Sequence, residues 1–447
     1  MSSKRDLVEA HSFNRRRLVT AFVSGAPGGR EVEPVRYGRT LVGGLVLALL
    51  LVAGAAVSGF IKPAVPQDWD ERGLVIGKSS GSRFVAYQHR LYPVINTTSA
   101  RLLLATDGTM KIVTVPDDKI AEDKPLATIG IPGAPDILPA PGDLLASGWS
   151  ACTNEAAGIK IVVARKPLVA PDARGALLVS SAKQTYVVSG QHRYLVPDDS
   201  ARETTLRALG LEDEQPKAVP GRWLDLLPPG SPLRPFDVPG QGNRVDTGVR
   251  GLSQVGTPVV VEGQPYVLGS DKQLQKLSPF ADALYRSSGP GLRASTVKLT
   301  QSDVSGLDTA DDSAGVVPAD WPTELVTKYA DPARPCLLLD AGVGRAAIAR
   351  LADAHSTTAL PSGAGVSRLV EAGRGAVVRG STGGVLEAGT PYLVDATGTR
   401  YQVGTKDAEK QAMMSLGYAK VSPVPVPRPW LQLFADGPQL SARAVTQ

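Results

Sequence analysis

The stretch 72-RGLVIGKSSGSRF-84 carries two catalytic spacings at once. Gly77-Lys-Ser-Ser-Gly81 fits G-x-S-x-G, the turn that exposes a nucleophilic serine between a strand and a helix. Gly73-Leu-Val-Ile-Gly77-Lys78-Ser79 falls one residue short of G-x-x-x-x-G-K-[ST], in which backbone amides, a lysine and a hydroxyl cradle phosphates at a helix start. Both chemistries need a helix leaving the turn. What leaves here is Arg83-Phe-Val-Ala-Tyr87, which is strand-like, and position 72 is Arg where the phosphate loop requires Gly. We read the stretch as strand, turn, strand, and assign no catalytic and no nucleotide-binding residue to it.

Elsewhere the chemistry is sparse. The chain has four histidines. His11 lies in the basic N-terminal region, His89 and His192 fall at matching hairpin positions, and His355 follows Asp353 closely enough to suggest part of a hydrolase triad. One His near one Asp is commonplace, and no triad is assigned. The pairs Asp198-Asp199 and Asp311-Asp312 sit in polar, turn-like stretches, where solvated loops are the ordinary explanation. No cluster has metal-ligand spacing, so no metal and no cofactor is expected. Trp223 and Trp430 raise a choice between a sugar-stacking face and core packing, and their setting favours packing.

The elements that position these residues begin with a membrane anchor. Residues 1–39 hold eight Lys/Arg against four acids; removing them leaves 40 basic and 39 acidic residues in the remainder. Nearly all of the net charge of +5 therefore belongs to a short tail, and no footprint for nucleic acid remains. The run 41-LVGGLVLALLLVAGAAVSGFI-61 is 21 residues without a charge, enough to cross a bilayer as a helix. Arginines crowd its N-terminal side, which places 1–39 in the cytoplasm and the rest outside. A cleaved signal peptide and a twin-arginine signal at Arg15-Arg16-Arg17 fit less well, because the basic region is too long and the arginines are too far from the apolar run. Cys152 and Cys336 then fall where disulfides persist, and we expect them bonded; two buried free thiols are the alternative.

The region beyond the anchor repeats itself. Laid over each other at a displacement of 207, 193-RYLVPDDSARETTLRALG-210 and 400-RYQVGTKDAEKQAMMSLG-417 match at Arg193/Arg400, Tyr194/Tyr401, Val196/Val403 and Gly210/Gly417. The register continues without a gap through Trp223/Trp430, Leu224/Leu431 and Gly230/Gly437. Each copy reads as a hairpin, then a short helix capped by Ser200 or Asp407 and stopped by Gly210 or Gly417. Ser200-Ala-Arg-Glu203 reads as a capping box. A proline pair leads into Trp-Leu-x-Leu, whose alternation suggests a strand with Trp and Leu on opposite faces. Fainter copies lie at 83–104, sharing Gln-His-Arg and Ser-Ala-Arg, and at 257–277, keeping the hairpin. The two cysteine segments then join into one central layer that carries separate repeats.

Together these features resemble the EccB family, the bitopic membrane component of actinobacterial type VII secretion systems. The resemblance rests on 11-HSFNRRRLVTAF-22, the anchor, 81-GSRFVAYQHRLYPVINTTSARLLL-104, 131-IPGAPDILP-139, the Arg-Tyr-x-Val hairpins, both Trp-Leu-x-Leu segments and the cysteine pair. It implies an α+β fold: an elongated ectodomain of four strand-rich repeats around a β core closed by Cys152–Cys336, behind one transmembrane helix. The expected order is tail 1–39, helix 40–61, linker and repeat 1 at 62–140, core at 141–180, repeat 2 at 181–240, repeat 3 at 241–300, core at 301–380 and repeat 4 at 381–447. Trp223, Leu224, Trp430 and Leu431 are the repeat-packing residues. The family also implies an inner-membrane scaffold of protein export, with the EccC ATPase, EccD, EccE, the lipid bilayer and further copies of itself as partners. A cell-wall binding module and a weak ATPase, as the family is sometimes labelled, are the other readings.

Reporter fusions after Arg39 and after Val65 test the topology. The expected result is an externally active reporter only after Val65; activity outside the cell at Arg39 overturns the orientation.

Overall fold

A computed structural model describes the chain except residues 1–3, 25–36, 61–64, 123–124, 155–156, 173, 288–293, 311–315, 331–332, 355–362, 383–384 and 387–390. Two compact units result, 1–66 and 67–447. The first holds two helices, α1 (Lys4–Ser24) and α2 (Tyr37–Phe60). α2 covers nearly all of the apolar run, and Leu41, Leu45, Leu50 and Leu51 on it are each more than 60% exposed. Residue 61 and the side chains of 56–60 lie outside the description, and among the described residues no helix is long and apolar enough to cross a membrane.

The second unit opens with a meander of β1 (Arg72–Gly77), β2 (Arg83–Tyr87) and β3 (Arg90–Pro93), followed by α3 (Thr97–Leu104). β4 (Ile112–Val115) then returns parallel to β1, and after α4 (Asp117–Glu122) Ile129 bridges in parallel to Val94 beside β3. Next come three strands of a central sheet: β5 (Trp149–Thr153), β6 (Gly158–Val163) and β7 (Val169–Pro171). The plan of the first segment then recurs. β8 (Gly175–Ser181), β9 (Gln184–Ser189) and β10 (His192–Val196) form a meander, followed by α5 (Arg202–Ala208). β11 (Lys217–Ala218) runs parallel to β8, a helical turn α6 (Gly221–Leu224) follows, and β12 (Pro229–Gly230) runs parallel to β10.

A third meander, β13 (Pro258–Val261), β14 (Gln264–Leu268) and β15 (Leu274–Lys276), leads to α7 (Pro279–Arg286). β16 (Val297–Leu299) and β17 (Thr309–Ala310) again flank it in parallel on β13 and β15. After β18 (Thr327–Lys328), which joins β8, the chain re-enters the central sheet as β19 (Cys336–Asp340), β20 (Ile348–Ala354) and β21 (Gly365–Val370). The last segment contains β22 (Ala376–Thr382), β23 (Val385–Leu386), β24 (Tyr392–Val394), β25 (Thr399–Gln402) and α8 (Glu409–Ser415). β26 (Val424–Pro427) pairs in parallel with β22, and after the turn α9 (Arg428–Leu431), β27 (Ala435–Asp436) pairs in parallel with β25. α10 (Ala442–Val445) ends the chain. All four segments thus share one plan, an antiparallel meander with a helix and a parallel strand or bridge added at each edge. The strands that open the second and fourth sheets start at 175 and 376, ahead of the starts at 181 and 381 expected for those repeats.

Alternation along the opening strands distributes the core. On β8, Leu177 and Val179 face the cluster over the central sheet, while Ala176 and Leu178 face a second cluster shared with α7, Val267 and Trp321. On β22, Ala376 and Val378 face the central cluster and Val377 faces a third, where α8 meets Leu102 of α3. The second segment therefore pairs with the third, and the fourth with the first. Gly108 lies so close to Gly417 that a Cβ on it would come within 2.7 Å of the Gly417 Cα.

The helix ends follow part of the sequence reading. Gly210 and Gly417 adopt φ of +66° and +89°, and Leu211 and Tyr418 N–H donate to Leu206 O at 2.8 Å and Met413 O at 2.7 Å, closing Schellman motifs. The starts differ. Ser200 and Asp407 do not cap: Ala201 and Ala408 occupy the N-cap positions without a side-chain bond. There is no capping box, because Asp199 Oδ1 takes the Ala201 N–H at 2.9 Å and Glu203 pairs with Arg207. The helix starts one residue later than the sequence suggests, so Ser200 lies ahead of the N-cap, and Glu203 turns to Arg207 instead of back to the Ser200 amide. In α3 the cap is Asn96, which accepts from Ser99 N–H at 2.9 Å, so Ser99-Ala-Arg101 lies inside a helix while Ser200-Ala-Arg202 mostly precedes one.

Cys152 and Cys336 are bonded, closing 184 residues of chain. On the chain-entropy account a loop this long is worth about 5 kcal/mol. Non-reduced digestion should yield the linked peptide, and Cys336→Ser should lower the unfolding free energy of the 67–447 unit by a few kcal/mol. Unchanged stability on reduction would show that the sheet pairing alone holds the two segments.

Candidate functional site

The two cysteines and both tryptophan segments converge on the central sheet, ordered β21-β6-β5-β19-β20-β7. β5 and β19 are its antiparallel middle, and their register sets Cys152 opposite Cys336 and Ala151 opposite Leu337. The pleat sends the two cysteines to one face, with Val169 and Ala352. It sends Trp149, Ala151, Leu337 and Leu339 to the other, where Ile159, Ile161, Val163 and Leu351 extend a broad apolar floor.

Both Trp-Leu-x-Leu segments land on that floor. They are not strands, as the alternation suggested, but single helical turns, α6 and α9, each following a proline N-cap. The sequences Trp223-Leu-Asp-Leu-Leu227 and Trp430-Leu-Gln-Leu-Phe434 bury positions one, two, four and five and expose the third, a helical rather than an alternating pattern. Trp and Leu therefore face the same core. Trp223 and Trp430 are both 0% exposed, which rules out a sugar platform at either ring. Trp223 Nε1 donates to Ala151 O of the central sheet at 3.0 Å, and Trp430 Nε1 donates to Leu226 O of the α6 segment at 3.0 Å. Arg222 also donates to Gln432 O at 2.8 Å, and Phe434 meets Trp149 edge-on at 5.5 Å. The second and fourth segments are thus not separate units: they meet at their tryptophan turns.

The matching glycines beyond these turns have a packing role that the sequence left unread. A Cβ on Gly230 or Gly437 would approach the Tyr194 or Tyr401 ring to within 2.4 or 2.3 Å, so each glycine admits an aromatic ring against an edge strand. Tyr194 OH donates to Asp320 O at 2.6 Å, and Tyr401 OH donates to Asp395 Oδ2 at 3.2 Å. Burial, with Asp395 beside it, pushes the Tyr401 phenol up to about 12, so it stays a neutral donor.

The opening stretch is strand, turn, strand: β1 and β2 pair antiparallel around 78–82. β1 carries β4 on its other edge, and Lys78 N–H donates to Val115 O at 2.9 Å. The amides that a phosphate would need are engaged by Asp117 at the start of α4. Its carboxylate accepts from Ser79 N–H at 2.8 Å, Ser80 N–H at 3.3 Å and the Ser80 hydroxyl. The Ser80 hydroxyl, then the Ser79 amide, hold the Asp117 carboxyl below its usual range. An anion already fills the turn.

The remaining candidates stay apart. His89 sits in the β2–β3 turn with φ of +59° and pairs with Asp70 at 3.1 Å. His192 instead opens β10 opposite Ser189, one position out of register with His89. Asp198 pairs with Arg202 at 2.9 Å. Asp353 lies on β20. His355, Asp311 and Asp312 lie outside the described residues. Among the described residues no group of His, Cys, Asp and Glu could hold a metal ion.

Trp223→Ala and Trp430→Ala should each cost about 3–5 kcal/mol. Because the two turns share a hydrogen bond and one core, the double variant should lose less than the sum, with a coupling of about 1–3 kcal/mol. Denaturant unfolding of the two singles and the double measures it, and additivity would dissolve the proposed junction.

Comparison with known proteins places this architecture. ESX-2 secretion system ATPase EccB2 of Mycobacterium tuberculosis is 29% identical over 486 residues, covering 99% of this chain and 94% of the relative. ESX-3 secretion system ATPase EccB3 of the same organism is 28% identical over 468 residues, covering 92% and 83%. Among solved structures, an EccB3 dimer from the ESX-3 core complex superposes with a TM-score of 0.67 at 21% identity, over 84% of this chain and all of that one. A chain of an intact ESX-5 inner membrane complex superposes at 0.63 and 20% identity, over 100% and 95%. At such identities the likeness is one of fold. The family model described as type VII secretion system ESX-1, transport TM domain B, matches residues 1–447. The chain belongs to this EccB family and is a structural component of a type VII secretion membrane complex.

Proposed function

We propose that this protein is a non-catalytic scaffold of the export complex, held by a helix over 40–61 with residues 1–39 in the cytoplasm and 67–447 outside. Its partners are then EccC, EccD and EccE components, the bilayer and further copies of the chain. Four repeats around a two-part core describe its domain plan. The reading is supported by how its distinctive residues are used. Trp223, Leu224, Trp430 and Leu431 are all buried in the core over the central sheet. A disulfide suits a compartment outside the cytoplasm, where ATP is scarce.

The observation that carries the non-catalytic part is the turn at 77–81. Ser79 and Ser80 amides already bind the Asp117 carboxylate, and no helix leaves the turn to aim a dipole at phosphate. The name ATPase, which the curated relatives carry, would require this turn or another to open to nucleotide.

Replacing Lys78 and Ser79 together by alanine in the intact complex should leave secretion at the unaltered level. Loss of secretion with the membrane complex still assembled, accompanied by loss of nucleotide turnover, would restore the ATPase reading.

A further inference from the structure

Helix α1 is 21 residues long, about 30 Å, and carries a row of exposed apolar side chains. Leu7, Val8, Leu18, Val19, Phe22 and Val23 are between 57% and 93% exposed. At about 100° per residue, positions 7, 18 and 22 fall within about 60° of one another, and 8, 19 and 23 widen the arc to about 160°. Lys4 and Arg15 lie inside this arc, and Arg5 and Arg16 lie at its border. Asp6 and Glu9 fall on the opposite side, as does Phe13. Arg17 falls on that opposite side too, so six of the seven large apolar side chains share a face with Lys4 and Arg15, bordered by Arg5 and Arg16, while the acids lie opposite with Arg17.

We infer that α1 lies along the cytoplasmic surface of the membrane, its apolar and basic face set into anionic lipid headgroups; this rests on the anchored topology proposed above. Basic residues in the middle of an apolar arc suit that interface. Their stems lie along the hydrocarbon boundary while their charges rise to the phosphates. A protein groove would instead have to bury Lys4 and Arg15 within its apolar floor, which is costly without paired carboxylates. Position in the chain supports the same occupant. Twelve residues, 25–36, separate α1 from α2, and even fully extended they reach only about 40 Å. The linker keeps the helix within that distance of the surface at which the anchor enters, so its local concentration there is high without any further contact. Anionic lipid attracts each Lys or Arg near the surface, and this attraction weakens with salt.

Full-length protein in nanodiscs of phosphatidylcholine alone, or with about a third phosphatidylglycerol, provides the test, with hydrogen exchange over residues 4–24 as the readout. Exchange should be about tenfold slower in the anionic discs and should recover in about 0.5 M salt. Leu18→Glu with Phe22→Glu should abolish the protection, and Arg15→Glu with Arg16→Glu should abolish its dependence on phosphatidylglycerol. Exchange across 67–447 should be unchanged in both variants. Equal exchange in the two discs overturns the inference, as does protection seen only within the assembled secretion complex, which would identify a protein partner instead. Nanodiscs expose both faces, so the result does not depend on sidedness; failure of the chain to enter discs at all would overturn the anchor itself.

Discussion

The pairing of β5 with β19 is the constraint on which the 67–447 unit depends. It joins strands from opposite halves of the chain, locks Cys152 against Cys336 on one face and lays a continuous apolar floor on the other. Among the described residues no long helix lies on that floor, which also meets one face of β8 and of β22. It is covered by two tryptophan turns delivered from the second and fourth segments, and those turns hydrogen-bond to the floor and to each other. The segments are therefore built like repeats yet assembled as a single core, unlike solenoid repeats that touch only their neighbours.

The meander-and-helix plan explains how one motif serves four places. A three-stranded meander leaves two open edges, and each segment closes them with its own chain by parallel additions after the helix. Exposed edges that could recruit other strands are covered this way. What differs between segments is the turn between the two edge strands. It carries Trp in the second and fourth, which face the central floor. In the first it is α4, whose Ile120 is buried and whose Asp117 fills the neighbouring loop.

Much of this was legible in the sequence because the responsible signals are local or periodic. The 207-residue register, the glycine helix stops, the strand–turn–strand at 77–81 and the union of the two cysteine segments all follow from residue type and spacing. What stayed hidden depends on tertiary competition. Four residues after a proline can be a strand or a helical turn, and only the shared floor decides that Trp and Leu must point the same way. Ser200 was a sound cap in isolation, but the Asp199 side chain closes a turn on Ala201 N–H and the helix starts one residue later, with Ala201 at the N-cap. The offset of His192 from His89 comes from a one-residue difference in hairpin pairing, which a matching Gln-His-Arg conceals. The glycine–tyrosine contacts were present as coincidences in the alignment, with no local property to reveal that one residue makes room for the other.

The pairing of the first segment with the fourth bears on biogenesis. Gly108 of the first segment needs Gly417 beside it, and Gly130 N–H donates to Val445 O at 3.0 Å, only two residues from the chain end. A chain made N-terminus first therefore presents its earliest-made apolar surfaces long before their counterparts arrive. Such non-local closure is slow and leaves hydrophobic surface open to association in the interval. Until the segment around Val445 docks, the first segment lacks part of its cover.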